Sequence, residues 1–167
     1  MRLFFLGIQI IRDRKNKLLA LSQGTYIDKV LARFLMKNAH GALLPMRTGL
    51  SLSKEQCPKT PQEVEDMSRV PYASAVRSLM YAMLCTRPDI CYAVGVVNRY
   101  QSNPGLDHWI AVKHILKYLK RTRDMMLMYT SNELVVQGYT DSDFQADRDM
   151  LKSTSGSVFT LNGGVIV

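Results

Sequence analysis

Residues 72–122 read YASAVRSLMYAMLCTRPDICYAVGVVNRYQSNPGLDHWIAVKHILKYLKRT, and the punctuation of this stretch decides the fold. Two corners, Thr86-Arg87-Pro88-Asp89-Ile90 and Asn103-Pro104-Gly105-Leu106-Asp107, divide it into three helical segments. In the first, Tyr72, Val76, Leu79, Met80, Met83 and Leu84 make a broad apolar face. Thr86 with Asp89 supplies a capping box for the second, whose first turn tolerates Pro88 because the missing N–H would have no partner there. Ile90, Ala93, Val94 and Val97 form its inner stripe. Asp107 is a good N-cap for the third, which buries Trp109, Val112, Leu116 and Leu119.

Beside that last stripe, Lys113, Lys117, Lys120 and Arg121 recur at i, i+4, i+7 and i+8, so one flank of the third helix is a line of positive charge. Two readings follow: a solvated face with cations favourably placed near a helix C-terminus, or a helix that tracks phosphates.

Outward toward the N-terminus, Thr25 with Asp28 is a capping box for a helix over Tyr26 to Met36, with Ile27, Val30, Leu31 and Phe34 as its buried stripe. Before it, the apolar runs Phe4 to Ile11 and Leu18 to Leu21 predict two strands joined by a charged turn, Arg12 to Lys17. Between Lys37 and Val70 the periodicity dissolves around Pro45, Pro58 and Pro61, which predicts an extended connection with a helical turn near Pro61 to Met67.

Outward toward the C-terminus the period changes to extended. Met125 to Tyr129, Leu134 to Thr140 and Ser153 to Leu161 predict strands, with turns at Ser131-Asn132 and Asn162-Gly163-Gly164. The predicted class is therefore α+β, with an N-terminal β-hairpin, a mainly helical centre of about four helices and C-terminal antiparallel strands. The predicted parts are 1–36, 37–70, 71–124 and 125–167.

At 167 residues the chain has room for one good domain or two small ones. Its net charge of +8 favours polyanionic partners, nucleic acid or an anionic surface. Three cysteines without a Cys-x-x-Cys pair suggest neither a disulfide framework nor a zinc site, and a reducing compartment fits them best. Gly7 and Gln9 interrupt the N-terminal apolar run and no small-residue cleavage site follows, so no secretory leader is expected; nor does any run approach the ~20 apolar residues of a membrane-spanning helix.

Among chemically capable groups, the carboxylate cluster Thr140-Asp141-Ser142-Asp143, followed by Asp147 and Asp149, stands out. Asp141 ends a strand, where a carboxylate can project toward a divalent metal, but a polar strand end is the competing reading. His40, His108 and His114 are scattered, and His108 and His114 lack the i, i+4 spacing of a zinc pair. There is no nucleophile elbow and no phosphate-cradling glycine loop.

Taken together these residues resemble the pol polyprotein of copia-type LTR retrotransposons. The resemblance rests on Phe5-Leu6-Gly7-Ile8, Leu21-Ser22-Gln23 with Tyr26-Ile27, Leu44-Pro45-Met46, Ser78-Leu79-Met80-Tyr81, Thr86-Arg87-Pro88-Asp89-Ile90, Tyr118-Leu119-Lys120, Gly138-Tyr139-Thr140-Asp141-Ser142-Asp143 and Ser153-Thr154-Ser155-Gly156, in the family's order and spacing. It implies that Phe5, Leu6, Gly7 and Ile8 form a primer-grip-like hairpin, that Tyr72 to Thr122 is the thumb and connection region over a template-primer duplex, and that Asp141 is the first metal-binding aspartate of an incomplete ribonuclease H-like domain. Lys113, Lys117, Lys120 and Arg121 then hold an RNA/DNA hybrid or duplex by its phosphates.

The same resemblance places the polymerase aspartates N-terminal to the Phe5 hairpin and the remaining ribonuclease H carboxylates beyond Val167. It therefore implies an isolated chain without polymerase or ribonuclease H activity, since two-metal chemistry cannot run on one ligand. The parent family uses Mg²⁺, and no functional Mg²⁺ site is expected in this chain alone. A separate palm-containing chain is the other partner implied, in cytoplasm or nucleus, with no membrane partner. The alternative is a non-enzymatic, sequence-indifferent nucleic-acid-binding module. Ala73 and Arg77 stand where the family usually has Arg and Gly, which leaves Arg77 either tolerated at the surface or blocking close helix packing.

Overall fold

A computed structural model describes residues 2–130, 135–145, 147 and 149–166, and its contacts divide the chain into two units: Gly24–Arg123, and Met1–Gln23 with Asp124–Val167. The class is α+β, with helices in the first unit and antiparallel sheets in the second.

In the helical unit α1 (Gly24–Arg33) places Ile27, Val30 and Leu31 in the core, as their helical spacing requires. The helix opens at Gly24, so Thr25 lies inside its first turn instead of capping it, and Asp28 is taken by Arg123 through hydrogen bonds of 2.7 and 2.6 Å. A salt-bridged fork outcompetes the expected capping box because an ionised pair is the stronger hydrogen bond. Leu35, with φ of +58°, closes the helix while the Met36 N–H reaches back to the Leu31 carbonyl at 2.7 Å.

Residues 37–53 have no regular structure, yet Ala42 and Leu52 are buried and the Ala42 N–H donates to the Lys117 carbonyl at 3.2 Å. A single 3₁₀ turn follows at Lys54–Gln56, then α2 (Pro61–Ser68). Thr60 and Glu63 form its capping box, the Glu63 N–H donating to Thr60 Oγ1 at 3.3 Å and the Thr60 N–H to Glu63 Oε2 at 3.0 Å.

The three-helix stretch consists of α3 (Tyr72–Cys85), a 3₁₀ turn at Pro88–Ile90 leading into α4 (Cys91–Asn98), and α5 (Leu106–Arg121). Val76, Leu79, Ile90, Val94, Val97, Val112, Leu116 and Leu119 are buried together in one core with α1. Leu84 departs from expectation, being 75% exposed at the end of α3. Arg77 is exposed, so it is carried on the surface of α3.

Both expected helix caps at the corners are replaced. Arg87, not Thr86, precedes the turn at Pro88, and the Asp89 carboxylate accepts from Arg87 and from the Tyr118 hydroxyl. Gly105, not Asp107, precedes α5, and its N–H donates to Nδ1 of His108 at 2.8 Å. His108 is fully buried, stacks on Tyr100 with ring centroids 4.0 Å apart, and its Nε2 lies 3.2 Å from the Ser53 carbonyl. An Nδ1 that accepts leaves Nε2 to donate, so these contacts select one neutral tautomer.

In the second unit, β1 (Arg2–Phe5), β2 (Ile8–Asp13), β3 (Leu18–Ser22) and β4 (Leu127–Thr130) form one antiparallel sheet in that order. The first apolar run is therefore two strands: it turns at Leu6-Gly7, both with positive φ, in the manner of a two-residue hairpin loop. The second turn is tied by Asp13, whose carboxylate accepts from the backbone of Lys15 and Asn16 at 3.0 and 3.2 Å.

A second antiparallel sheet holds β5 (Val136–Ser142), β6 (Ser155–Leu161) and β7 (Gly164–Val165). Asn162-Gly163 makes the β6–β7 turn with positive φ at both residues, as that dipeptide predicts. The expected turn at Ser131-Asn132 and strand start at Leu134 lie outside the described residues.

Candidate nucleic-acid interface and carboxylate site

Charge is divided unequally between the units. Gly24–Arg123 carries 15 Lys and Arg against 7 Asp and Glu, and the remaining residues carry 7 of each, so the whole net charge of +8 belongs to the helical unit. Within it, α5 presents the densest line of cations.

The four expected cations on α5 do not share one role. Lys113 lies with its Nζ 5.8 Å from the centre of the Trp109 ring, a cation–π distance that keeps it beside the core stripe. Lys117 is half-buried on the next turn, and Arg121 is exposed one turn further. These three recur every fourth residue, about 6 Å apart along the axis. Lys120 is turned away: its Nζ donates to the backbone carbonyls of Lys37 and Ala39, the latter at 2.7 Å. It therefore ties the residues after α1 to α5 and is engaged within the unit.

His114, also on α5, feels these cations. Burial pushes the His114 imidazole below its ordinary value, and the charges of Arg47 and Lys117 lower it further against an opposing hydrogen bond to the Leu44 backbone.

The C-terminal end of α5 is held by Arg87. Its side chain is 3% exposed and makes hydrogen bonds of 3.0 and 2.7 Å to Asp89, together with bonds to the Thr122 carbonyl at 3.1 Å and to the Thr122 hydroxyl. Its guanidinium also lies 5.5 Å from the Tyr118 ring centre. Burial raises the Asp89 carboxyl, but hydrogen bonds from Arg87 and Tyr118 and the Arg87 charge outweigh it and hold the group below its ordinary value.

In the second unit, Phe5, Leu6, Gly7 and Ile8 occupy the tip of the first hairpin, with Phe5 and Leu6 exposed. Asp141 pairs with Gly156 near the end of β5, above an open notch shared with Thr140, Ser142, Ser155 and Ser157. The neighbouring carboxylates do not converge on it. Asp141 Oδ1 accepts from the Ser142 N–H at 2.9 Å, Asp143 Oδ1 from the Thr154 N–H at 2.7 Å, and Asp147 Oδ1 from the Asp149 N–H at 2.9 Å. Among the described residues, no three His, Cys, Asp or Glu side chains are grouped to hold a metal ion. One carboxylate ringed by hydroxyls does not suit a two-Mg²⁺ centre, which needs several carboxylate oxygens.

Fold and charge define an α+β protein whose basic body is helical. The chain is 51% identical over 161 residues to the retrovirus-related Pol polyprotein from transposon TNT 1-94 of Nicotiana tabacum, a match covering 96% of this chain and 12% of that polyprotein. It is 36% identical over 159 residues to the corresponding polyprotein from transposon RE2 of Arabidopsis thaliana, covering 95% of this chain and 10% of that one. It is also 44% identical over 101 residues to the secreted RxLR effector protein 161 of Plasmopara viticola, covering 60% of this chain and 71% of that protein. No family model and no solved structure matches. The chain belongs to the retrovirus-related Pol polyproteins of copia-type transposons, and it spans 12% and 10% of the two polyproteins compared.

Proposed function

We propose that this chain is the duplex-holding part of a retrotransposon reverse transcriptase, leading into the opening strands of a ribonuclease H-like domain, and that alone it binds nucleic acid without copying or cutting it. The observation that carries the reading is the confinement of the +8 charge to the helical unit, with Lys113, Lys117 and Arg121 in line on α5. Evenly spaced cations without a base-reading loop suit contact with phosphates, which is strong, salt-sensitive and indifferent to sequence.

The ribonuclease H-like part is supported by the order of β5 and β6 around Asp141 and by the exposure of all seven residues of β5, a sheet strand left without cover. Catalytic silence is supported by Asp141, Asp143 and Asp147 each serving a backbone N–H. On this reading Mg²⁺ acts in the parent polyprotein, a palm-containing chain is the natural partner, and the site of action is cytoplasm or nucleus. None of the described helices is long and apolar enough to cross a membrane.

The test is binding of a labelled RNA/DNA hybrid across a salt series. Sequence-indifferent binding that weakens steeply with salt, and is lost when Lys113, Lys117 and Arg121 are changed together to Gln, is expected. Unaltered binding in that variant refutes the interface, and Mg²⁺-dependent hybrid cleavage that disappears in Asp141→Asn refutes catalytic silence.

A second reading, a non-enzymatic, sequence-indifferent nucleic-acid-binding module, draws on the basic line of α5 alone. Addition of a purified palm-containing chain separates the two: stimulated primer extension supports the polyprotein reading, and no effect supports the module.

A further inference from the structure

Helix α2 buries none of its residues, although eight residues are too few for a helix to persist in water on local interactions alone. Its face of Glu63, Asp66 and Met67, at i, i+3 and i+4, together with Val70 just beyond the helix end, borders a groove of about 440 Å³ whose other wall is the start of α5, Gly105 to Asp107, with Pro58 between. Leu106 is 63% exposed there. The groove thus has an apolar strip of Pro58, Met67, Val70 and Leu106, edged by three carboxylates.

This reverses the sign of the unit around it. Of the seven acidic residues in Gly24–Arg123, Asp28 and Asp89 are held by Arg123 and Arg87, and three of the other five line this one groove. The geometry points to a docking site for a short basic peptide of a partner protein, its Leu or Met side chains on the apolar strip and its Lys or Arg side chains against Asp66, Asp107 and Glu63. Charge complementarity selects this occupant: an apolar groove supplies contact area, and the acidic rim steers a cation-bearing segment into it. Nucleic acid does not suit the groove, because its phosphates would face the carboxylates, and Lys113 begins the basic line about 9 Å further along α5. The phosphate-holding face and the peptide groove can therefore work at once.

Fluorescence anisotropy with the full chain tests this, using a labelled twelve-residue peptide of Lys and Leu and a matched peptide of Glu and Leu. Saturable binding of the Lys peptide is expected, weakened about tenfold or more by Asp66→Lys, by Asp107→Lys and by Leu106→Gln. Glu65→Lys is the control, since it changes net charge equally while Glu65 pairs with Arg69 away from the groove lining. Equal weakening by Glu65→Lys, equal binding of the Glu peptide, or no saturable binding at low salt overturns the assignment. A concentration-dependent dimer abolished by Leu106→Gln in sedimentation also overturns it, assigning the groove to a second copy. If a lysine variant fails to melt cooperatively, Asp66→Asn with Asp107→Asn carries the same comparison.

Discussion

Arg87 holds Asp89 through two hydrogen bonds of 3.0 and 2.7 Å while its own side chain is 3% exposed, and the same guanidinium donates to Thr122 at the end of α5. Two elements 35 residues apart are thereby joined by one buried charge. Removing Arg87 strands an Asp89 carboxylate that is 36% exposed, so water offsets part of the loss. Arg87→Ala should cost about 1.5–3 kcal/mol in denaturant unfolding, and Arg87→Lys should recover only part of it, because an ammonium cannot reproduce the planar fork.

The same pair sets an acid limit. The Asp89 carboxyl is held below its ordinary value, so the unfolded chain binds the extra proton and stability rises with pH across that window. The contribution is present above the unfolded value and disappears as pH falls through the folded one. Unfolding midpoints followed from neutral pH to below pH ~4 should fall, and Asp89→Asn should flatten the fall while lowering stability at neutral pH.

Lys117 and Lys120 are neighbours in the helical line with different duties, and salt dependence distinguishes them. Lys117→Gln should reduce the slope of log affinity against log salt by about 0.9, the value of one phosphate contact. Lys120→Gln should leave that slope unchanged and lower stability by about 0.5–1.5 kcal/mol, since its ammonium serves the carbonyls of Lys37 and Ala39.

Two glycines respond oppositely to alanine. A Cβ on Gly105 would lie 1.8 Å from the Gln56 carbonyl oxygen, so Gly105→Ala must move backbone and should destabilise by about 1–3 kcal/mol or more. A Cβ on Gly95, exposed within α4, meets nothing within 4 Å, and Gly95→Ala should stabilise by about 0.5–1 kcal/mol. Thermal melts of the two variants check both signs.

His114 gives a second pH signature. With its imidazole lowered, first by burial and then by Arg47 and Lys117, the folded chain resists protonation and stability declines as pH falls below the unfolded histidine range near ~6.5. His114→Gln should remove that decline, measured as the difference in midpoint between pH ~7.5 and ~5.5.

Periodicity identified what repeats. The stripes Ile27-Val30-Leu31 and Val112-Leu116-Leu119 are buried as their spacing requires, because a helix that forms at all must turn its apolar side inward. The Asn162-Gly163 turn was equally legible, since its positive φ angles favour those residues. The turn at Leu6-Gly7 was hidden from residue patterns inside a continuous apolar run. In the structure β1 and β2 pair antiparallel across it.

Local rules misled where an arginine offered the carboxylate a stronger partner. Thr25-Asp28 and Thr86-Asp89 both have capping-box spacing, yet in each the carboxylate goes to an arginine, Arg123 or Arg87, 95 and 2 residues away in sequence. An ion pair with two hydrogen bonds outweighs one bond to a helix N–H. Likewise β4 joins β3 across more than a hundred residues, a pairing that strand patterns alone do not specify.

By itself, the sequence determined the helices of 72–121, the basic line on α5, the net charge and the family, because these depend on residue type and spacing. Only the tertiary structure decided that the charge belongs to one unit, that Lys120 is engaged by two carbonyls, and that acidic side chains of α2 and α5 edge a groove. Those facts depend on which distant backbone lies beside each side chain, and no local periodicity encodes that distance.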